Sequence, residues 1–168
     1  SNVGLIGFGN LAKSLLPLLK PFACNVSVYD PWLSDDYLLK QNVQPTSLES
    51  VLSNNEFIFI LAGVTTENEG FINRDKLKLI KKNSSVILVS RAEVVDFEAL
   101  IELAENEHFR AAIDVFPVEP VPKDSNFRKK SKILFTSHVA GALNYSYKNI
   151  REMMIGDIKN ILKGIPPL

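Results

Sequence analysis

The stretch Val3-Gly4-Leu5-Ile6-Gly7-Phe8-Gly9-Asn10-Leu11-Ala12 decides the fold. Val3 to Ile6 is a short apolar run that ends at glycines, as a buried parallel strand does. Leu11, Leu15, Leu18 and Leu19 then recur at helical spacing, so the glycines lie in a strand-to-helix turn. A phosphate approaching such a turn needs close access to the backbone and meets the N–H groups that a helix start leaves unpaired, here those of Asn10 and Leu11. Gly7 permits the tight turn, Gly9 keeps side chains out of the phosphate's way, and Ala12 lets the helix lie close to the strand. Glycines at this spacing are a weak signal alone; the strand-turn-helix context gives them weight.

Asp30 supplies a fourth element, ending a second strand-like run twenty-one residues after Gly9. A carboxylate there accepts bonds from the adenosine ribose hydroxyls and repels a 2′-phosphate, so the expected cofactor is NAD rather than NADP. Asp30 also precedes Pro31, a turn-forming pair, but the upstream glycines favour the ribose role.

Outward from this unit, strand and helix patterns alternate. Strands are expected at 26–29, 57–61, 85–89, 111–115 and 133–135. Helical segments are expected at 34–40, 74–80 and 96–104, with a further helix from an N-cap at Ser47 through Leu52. Pro17 inside the first helix predicts a bend or early break. A last helix over 144–162 carries Ile150, Met154, Ile158 and Ile161 on one face, read as core in preference to a face for a partner domain. Such alternation predicts an α/β fold: a doubly wound parallel sheet, the Rossmann type of NAD-binding domain. Pro117 to Lys132, with three prolines and five basic residues, reads as one long loop whose charges are solvated.

Composition narrows the function class. Acidic and basic residues balance at nineteen each, without the basic excess of a nucleic-acid binder. The apolar runs are strand-length, short of the roughly 20 residues of a membrane helix. A single cysteine, Cys24, read as a small core hydrophobe beside Phe22 and Val26, points to a reducing cytoplasm. No nucleic-acid, membrane or metal partner is expected.

Three further motifs carry a family resemblance: Ser90-Arg91-Ala92-Glu93-Val94-Val95-Asp96, Asp114-Val115-Phe116-Pro117-Val118-Glu119-Pro120 and Thr136-Ser137-His138-Val139-Ala140-Gly141. In this order, after the glycine fingerprint, they make the whole chain resemble the nucleotide-binding domain of the D-isomer-specific 2-hydroxyacid dehydrogenases. That family includes phosphoglycerate, glycerate and D-lactate dehydrogenases and the C-terminal-binding corepressors. The resemblance implies catalytic roles for Arg91 (substrate binding), Glu119 (acidic partner) and His138 (acid/base). It implies that Asp114 and the backbone at Ser90 meet the nicotinamide, and it retains Thr65 in the cofactor-lining segment.

The chemistry of these residue types agrees. Arg91 offers a forked donor to a 2-oxo acid's carboxylate and carbonyl. His138 can give a proton during reduction and remove one during oxidation, with Glu119 holding one imidazole tautomer. All three follow expected strands, at the sheet edge where open α/β folds bind ligands. The isolated His108 carries no motif and reads as a satisfied loop residue.

The sequence also departs from the family. Ala92 replaces the glycine after the arginine, with a methyl expected to crowd the backbone or the substrate. Leu61-Ala62-Gly63-Val64-Thr65-Thr66 lacks the family's histidine and both prolines, Ser137 replaces a proline, and Leu88-Val89-Ser90 replaces Asn-Thr-Ala. The chain is expected to be one NAD-binding domain, 1–168, excised from a two-domain protein, with its substrate domain absent. It is therefore expected to bind NAD with little or no turnover, since the missing domain would close over the substrate. The partners expected are a small 2-hydroxy or 2-oxo acid and a second copy in a homodimer. The alternatives are an NAD(H)-sensing corepressor-like protein and a divergent non-catalytic member.

Overall fold

The structure, a computed structural model, describes residues 1–167; Leu168, last in the expected domain, lies outside them. The elements run β1 (Asn2–Ile6), α1 (Asn10–Leu19), β2 (Asn25–Tyr29), α2 (Asp35–Lys40), β3 (Gln44–Pro45), α3 (Leu48–Asn54), β4 (Phe57–Ile60), α4 (Arg74–Leu77), β5 (Ser85–Leu88), α5 (Phe97–Glu105), β6 (Arg110–Ile113), β7 (Leu134–Phe135) and α6 (Asn144–Leu162). Among the described residues the strands form one seven-stranded sheet in the order β3-β2-β1-β4-β5-β6-β7. Every pairing is parallel.

Successive strand residues face opposite sides of a sheet, and two apolar layers result. Ile6, Ile58, Ile60, Val86, Leu88, Ala111 and Ile113 pack with α3, α4 and α5. Val3, Leu5 and Val28 pack with Ala12 of α1 and Leu38 of α2. The fold is the doubly wound α/β type that the alternation implies. The chain divides into two compact units, the first Ser1–Thr136 and the second beginning at Ser137.

Capping residues fix several helix starts. The Ser34, Ser47, Asn73 and Asp96 side chains accept from Tyr37, Ser50, Lys76 and Ala99 backbone N–H groups, satisfying donors that lack intrahelical partners. Four expectations need correction. First, of the bend or early break expected at Pro17, the break does not occur there: α1 continues to Leu19 and then tightens to a 3-10 turn at Lys20–Phe22. Second, α4 ends at Leu77, because Leu79 and Ile80 bond three residues back to Lys76 and Leu77. Third, Cys24 packs against the core with Val26 as expected but is only partly buried, and Phe22 is 74% exposed.

Fourth, the apolar face of α6 is not core. Ile150, Met154, Ile158 and Ile161 are 49–60% exposed, and α6 buries none of its residues. Among the described residues of its own unit, this helix has no second layer of secondary structure to bury that face against.

Candidate cofactor and active site

The strand order reverses at β1: β2 and β3 lie to one side, β4 to β7 to the other. The loops leaving β1 and β4 therefore part, opening a crevice at the carboxyl edge of the sheet. Leu61 N–H donates to Ile6 O at 2.8 Å and closes the floor of that crevice.

Two glycines shape it for different reasons. Gly7 has φ of 90°, and a Cβ there would stand 2.8 Å from both Cα and N of Ala62. Only glycine accommodates that backbone contact. Gly9 is an open N-cap: it gives α1 no side-chain hydrogen bond, and a Cβ on it would meet nothing within 4 Å. The first bond of the helix runs from Lys13 N to Gly9 O at 3.0 Å. The N–H groups of Asn10, Leu11 and Ala12 therefore lack acceptors within the helix. Space over Gly9 and unpaired donors beneath it suit a pyrophosphate.

Asp30 ties this loop to the end of β2. Its Oδ2 accepts from Phe8 N at 2.8 Å, and its Oδ1 accepts from Trp32 N at 3.0 Å across Pro31. The turn-forming role is thus real. Each carboxylate oxygen keeps a second lone pair, so the ribose role is compatible with it. The residues flanking Asp30, Tyr29, Pro31 and Trp32, line a pocket of about 270 Å³ together with Ile6, Gly7, Ala62 and Phe71 and the polar Glu67, Asn68 and Lys76. The Tyr29 and Phe71 rings stack with centroids 6.4 Å apart. Lys76 Nζ sits 6.0 Å over the Phe71 ring and donates to Phe71 O at 3.0 Å. Aromatic rings and polar side chains next to the Asp30 carboxylate fit an adenosine, and the sequence did not reveal this pocket.

Nor did the sequence reveal Asn68. Asn68 is buried, accepts from Thr65 N at 2.7 Å and donates to Gly63 O at 2.7 Å. One amide thereby clamps the exposed loop carrying Thr65, where the family's prolines are absent. No local pattern signals it, because Asn68 reaches back to the backbone three and five residues before it.

The other candidates follow β5, β6 and β7. Ser90 is buried, with its hydroxyl lacking a hydrogen-bond partner among the described residues. Arg91 is exposed and turns its guanidinium back, Nη1 donating to Ser90 O at 2.7 Å. The methyl of Ala92 does not crowd the rim: the residue is 1% exposed and belongs to the core. Asp114 is 2% exposed and accepts a hydrogen bond from the Thr136 hydroxyl.

Glu119 is exposed and accepts from Phe116 N at 2.9 Å. Its loop is anchored by ring contacts of Phe116 and Phe127 with Phe97 and by Arg128, which donates to Pro122 O and Val121 O. Two of the five basic residues are therefore engaged and not merely solvated, because Lys132 also pairs with Glu107 at 3.1 Å.

The structure thus brings Gly7, Gly9, Asn10, Leu11 and Asp30 around the loop after β1, with Thr65 on the loop after β4. It places Ser90, Arg91, Asp114 and Glu119 beyond the carboxyl ends of β5 and β6. His138 belongs to the second unit, where its φ of 55° is left-handed, a conformation uncommon outside glycine. His108 is not the satisfied residue expected: its Nε2 is buried without a partner among the described residues.

Comparison with known proteins bears on this geometry. A family profile described as "D-isomer specific 2-hydroxyacid dehydrogenase, NAD binding domain" matches residues 1–140. The chain is 28% identical over 165 residues to a D-3-phosphoglycerate dehydrogenase of Bacillus subtilis, covering 98% of this chain and 31% of that protein. It is similar to the crystal structure of a phosphoglycerate oxidoreductase from Rhizobium etli, with TM-score 0.87 and 38% identity over 100% of this chain and 51% of that one. It is also similar to an NAD-dependent formate dehydrogenase from Staphylococcus aureus solved in complex with NAD. There the TM-score is 0.82 and the identity 26%, over 98% and 50% of the two chains. The chain spans about half or less of the length of these proteins.

Proposed function

Because the chain belongs to the D-isomer specific 2-hydroxyacid dehydrogenases, as their NAD-binding domain with NAD as its cofactor, we propose that it is the nucleotide-binding half of a two-domain oxidoreductase acting on a small 2-hydroxy or 2-oxo acid. NAD, when bound, accepts or supplies the hydride. The N–H groups of Asn10 and Leu11, beside the open space at Gly9, hold the pyrophosphate, and Asp30 takes the ribose hydroxyls. Thr65 lines the cofactor cleft, and Asp114 with the Ser90 carbonyl holds the nicotinamide carboxamide.

Arg91 receives the substrate carboxylate and steadies charge building on the reacting oxygen. To do so the guanidinium leaves the Ser90 carbonyl, whose two lone pairs are then both open to the carboxamide. His138 moves the proton at that oxygen, with Glu119 orienting its imidazole. The observation that carries this reading is that Arg91, Glu119 and His138 follow three consecutive parallel strands, β5, β6 and β7.

The test is NADH oxidation by the whole protein over a panel of 2-oxo acids. At least one acid is expected to be reduced, and His138→Asn or Arg91→Ala is expected to lose about 10²–10⁴-fold in rate. Full activity in either variant refutes the assignment. The 168-residue chain alone is expected to bind NADH with little turnover; turnover near that of the whole protein contradicts the need for a closing domain. The same reading has the whole protein working as a cytoplasmic homodimer, which sedimentation in solution and cell fractionation test. Of the structure itself, no helix among the described residues is long and apolar enough to cross a membrane.

A further inference from the structure

β6 and β7 pair in parallel with Ile113 opposite Phe135. The next residue of each strand, Asp114 and Thr136, therefore leaves the sheet side by side at its carboxyl edge. The register persists past the strand ends, since Thr136 N donates to Ile113 O at 3.0 Å and Asp114 N donates to Leu88 O at 3.0 Å. Both backbones are thus pinned. Across this pair the Thr136 hydroxyl donates to Asp114 Oδ1.

The two residues differ in what they contribute. Asp114 is 2% exposed, whereas Thr136 is exposed and outside the apolar core. Thr136 therefore adds little through packing, and the bond to Asp114 is the specific work of its side chain. The last torsion of an aspartate has a broad, roughly two-fold profile, so each group bonded to the carboxylate helps to set its plane. The Thr136 hydroxyl on Oδ1 favours one setting of that plane and of its lone-pair directions.

Resting on the reading that Asp114 holds the nicotinamide carboxamide, we propose that Thr136 is a positioning residue for the nicotinamide ring. By fixing the carboxylate plane, it fixes where the carboxamide docks. The carboxamide in turn sets the rotation of the ring about its bond to the ribose. Thr136 touches neither substrate nor the reacting carbon and acts through Asp114.

The experiment compares two ligands on this chain by calorimetry: NADH, and ADP-ribose, which shares everything except the nicotinamide. Thr136→Val removes the hydroxyl at nearly constant shape from an exposed site, and Thr136→Ser retains the hydroxyl. The unaltered chain is expected to prefer NADH. Thr136→Val is expected to lose about tenfold in NADH affinity, the scale of one hydrogen bond to a charged group, with ADP-ribose unchanged. Thr136→Ser is expected to keep both affinities.

An unchanged NADH to ADP-ribose ratio in Thr136→Val overturns the proposal, as does equal weakening of both ligands, which marks a purely structural role. Asp114→Asn separates the two levels of the argument. If it abolishes the preference while Thr136→Val leaves it intact, the nicotinamide reading stands and only the positioning role falls. If the unaltered chain shows no preference for NADH, the nicotinamide reading fails and takes the positioning role with it.

Discussion

Gly7 and Gly9 are two residues apart in one loop, yet alanine at each should fail in a different way. At Gly7 an alanine inherits φ of 90° and a methyl 2.8 Å from the Ala62 backbone. The left-handed conformation costs about 1–2 kcal/mol, and the overlap, against backbone that cannot rotate away, costs about 1–3 kcal/mol. Together they give about 2–5 kcal/mol, or roughly 4–20 °C in Tm at the usual scaling for a chain of this size. At Gly9 the backbone is ordinary, φ −82°, and the methyl meets nothing within 4 Å. Replacing a glycine N-cap by alanine costs under about 1 kcal/mol. That methyl instead occupies the space over the helix start, and NADH affinity is expected to fall about tenfold or more, over 1.4 kcal/mol. Urea unfolding supplies the first quantity, with the m-value required to stay constant. NADH titration supplies the second, read from the fluorescence of Trp32, the single tryptophan, which lines the adjacent pocket. The reasoning is refuted if Gly9→Ala destabilises as much as Gly7→Ala, or if it binds NADH as the parent does.

Two other perturbations probe the frame around the site. Asn68→Ala leaves Gly63 O and Thr65 N–H without their partner and should cost about 1–3 kcal/mol, with hydrogen exchange at the Thr65 amide accelerated; an amide still protected contradicts the clamp. Arg74 joins α4 to α5 through a 2.8 Å pair with Glu102, and its hydrogen bond and charge hold the Glu102 carboxyl below its ordinary value of 4.5. The folded state then binds this proton less readily than the unfolded chain. The pair's contribution is therefore complete above the ordinary value and fades as pH falls through the lowered one. Both groups are exposed, so the effect is small. The gap in unfolding midpoint between the parent and Glu102→Gln is expected to close at the acid end, and a pH-independent gap contradicts the assignment.

Much of the fold is legible because its signals are local. Apolar runs such as Phe57–Ile60 and caps such as Ser47 and Asp96 depend on near neighbours in the chain, and so does the glycine turn. β3 has no such signal: Gln44–Pro45 is two residues long and is a strand only because β2 offers it a partner edge. A Pro there is tolerated at the edge of the sheet. Helical spacing shows that α1 has an apolar stripe but not how much of it is covered, and Leu11 and Leu18 are 57% and 67% exposed.

The site divides the same way. Gly7, Gly9 and Asp30 are readable because strand-turn-helix geometry fixes what each must do. The Tyr29–Phe71 wall joins residues far apart in sequence and exists only once β2 and the segment before α4 are folded. Likewise, nothing in Ser90-Arg91-Ala92 tells that the guanidinium turns back on the Ser90 carbonyl or that the Ala92 methyl faces the core.

The most direct measurement is a crystal structure of the chain with NADH. The expected result places the adenine against the Tyr29–Phe71 wall and Trp32, the pyrophosphate over Gly9 at the start of α1, and the carboxamide against Asp114. A dinucleotide bound away from the Gly9 turn, or one whose nicotinamide end lies far from Asp114, contradicts it.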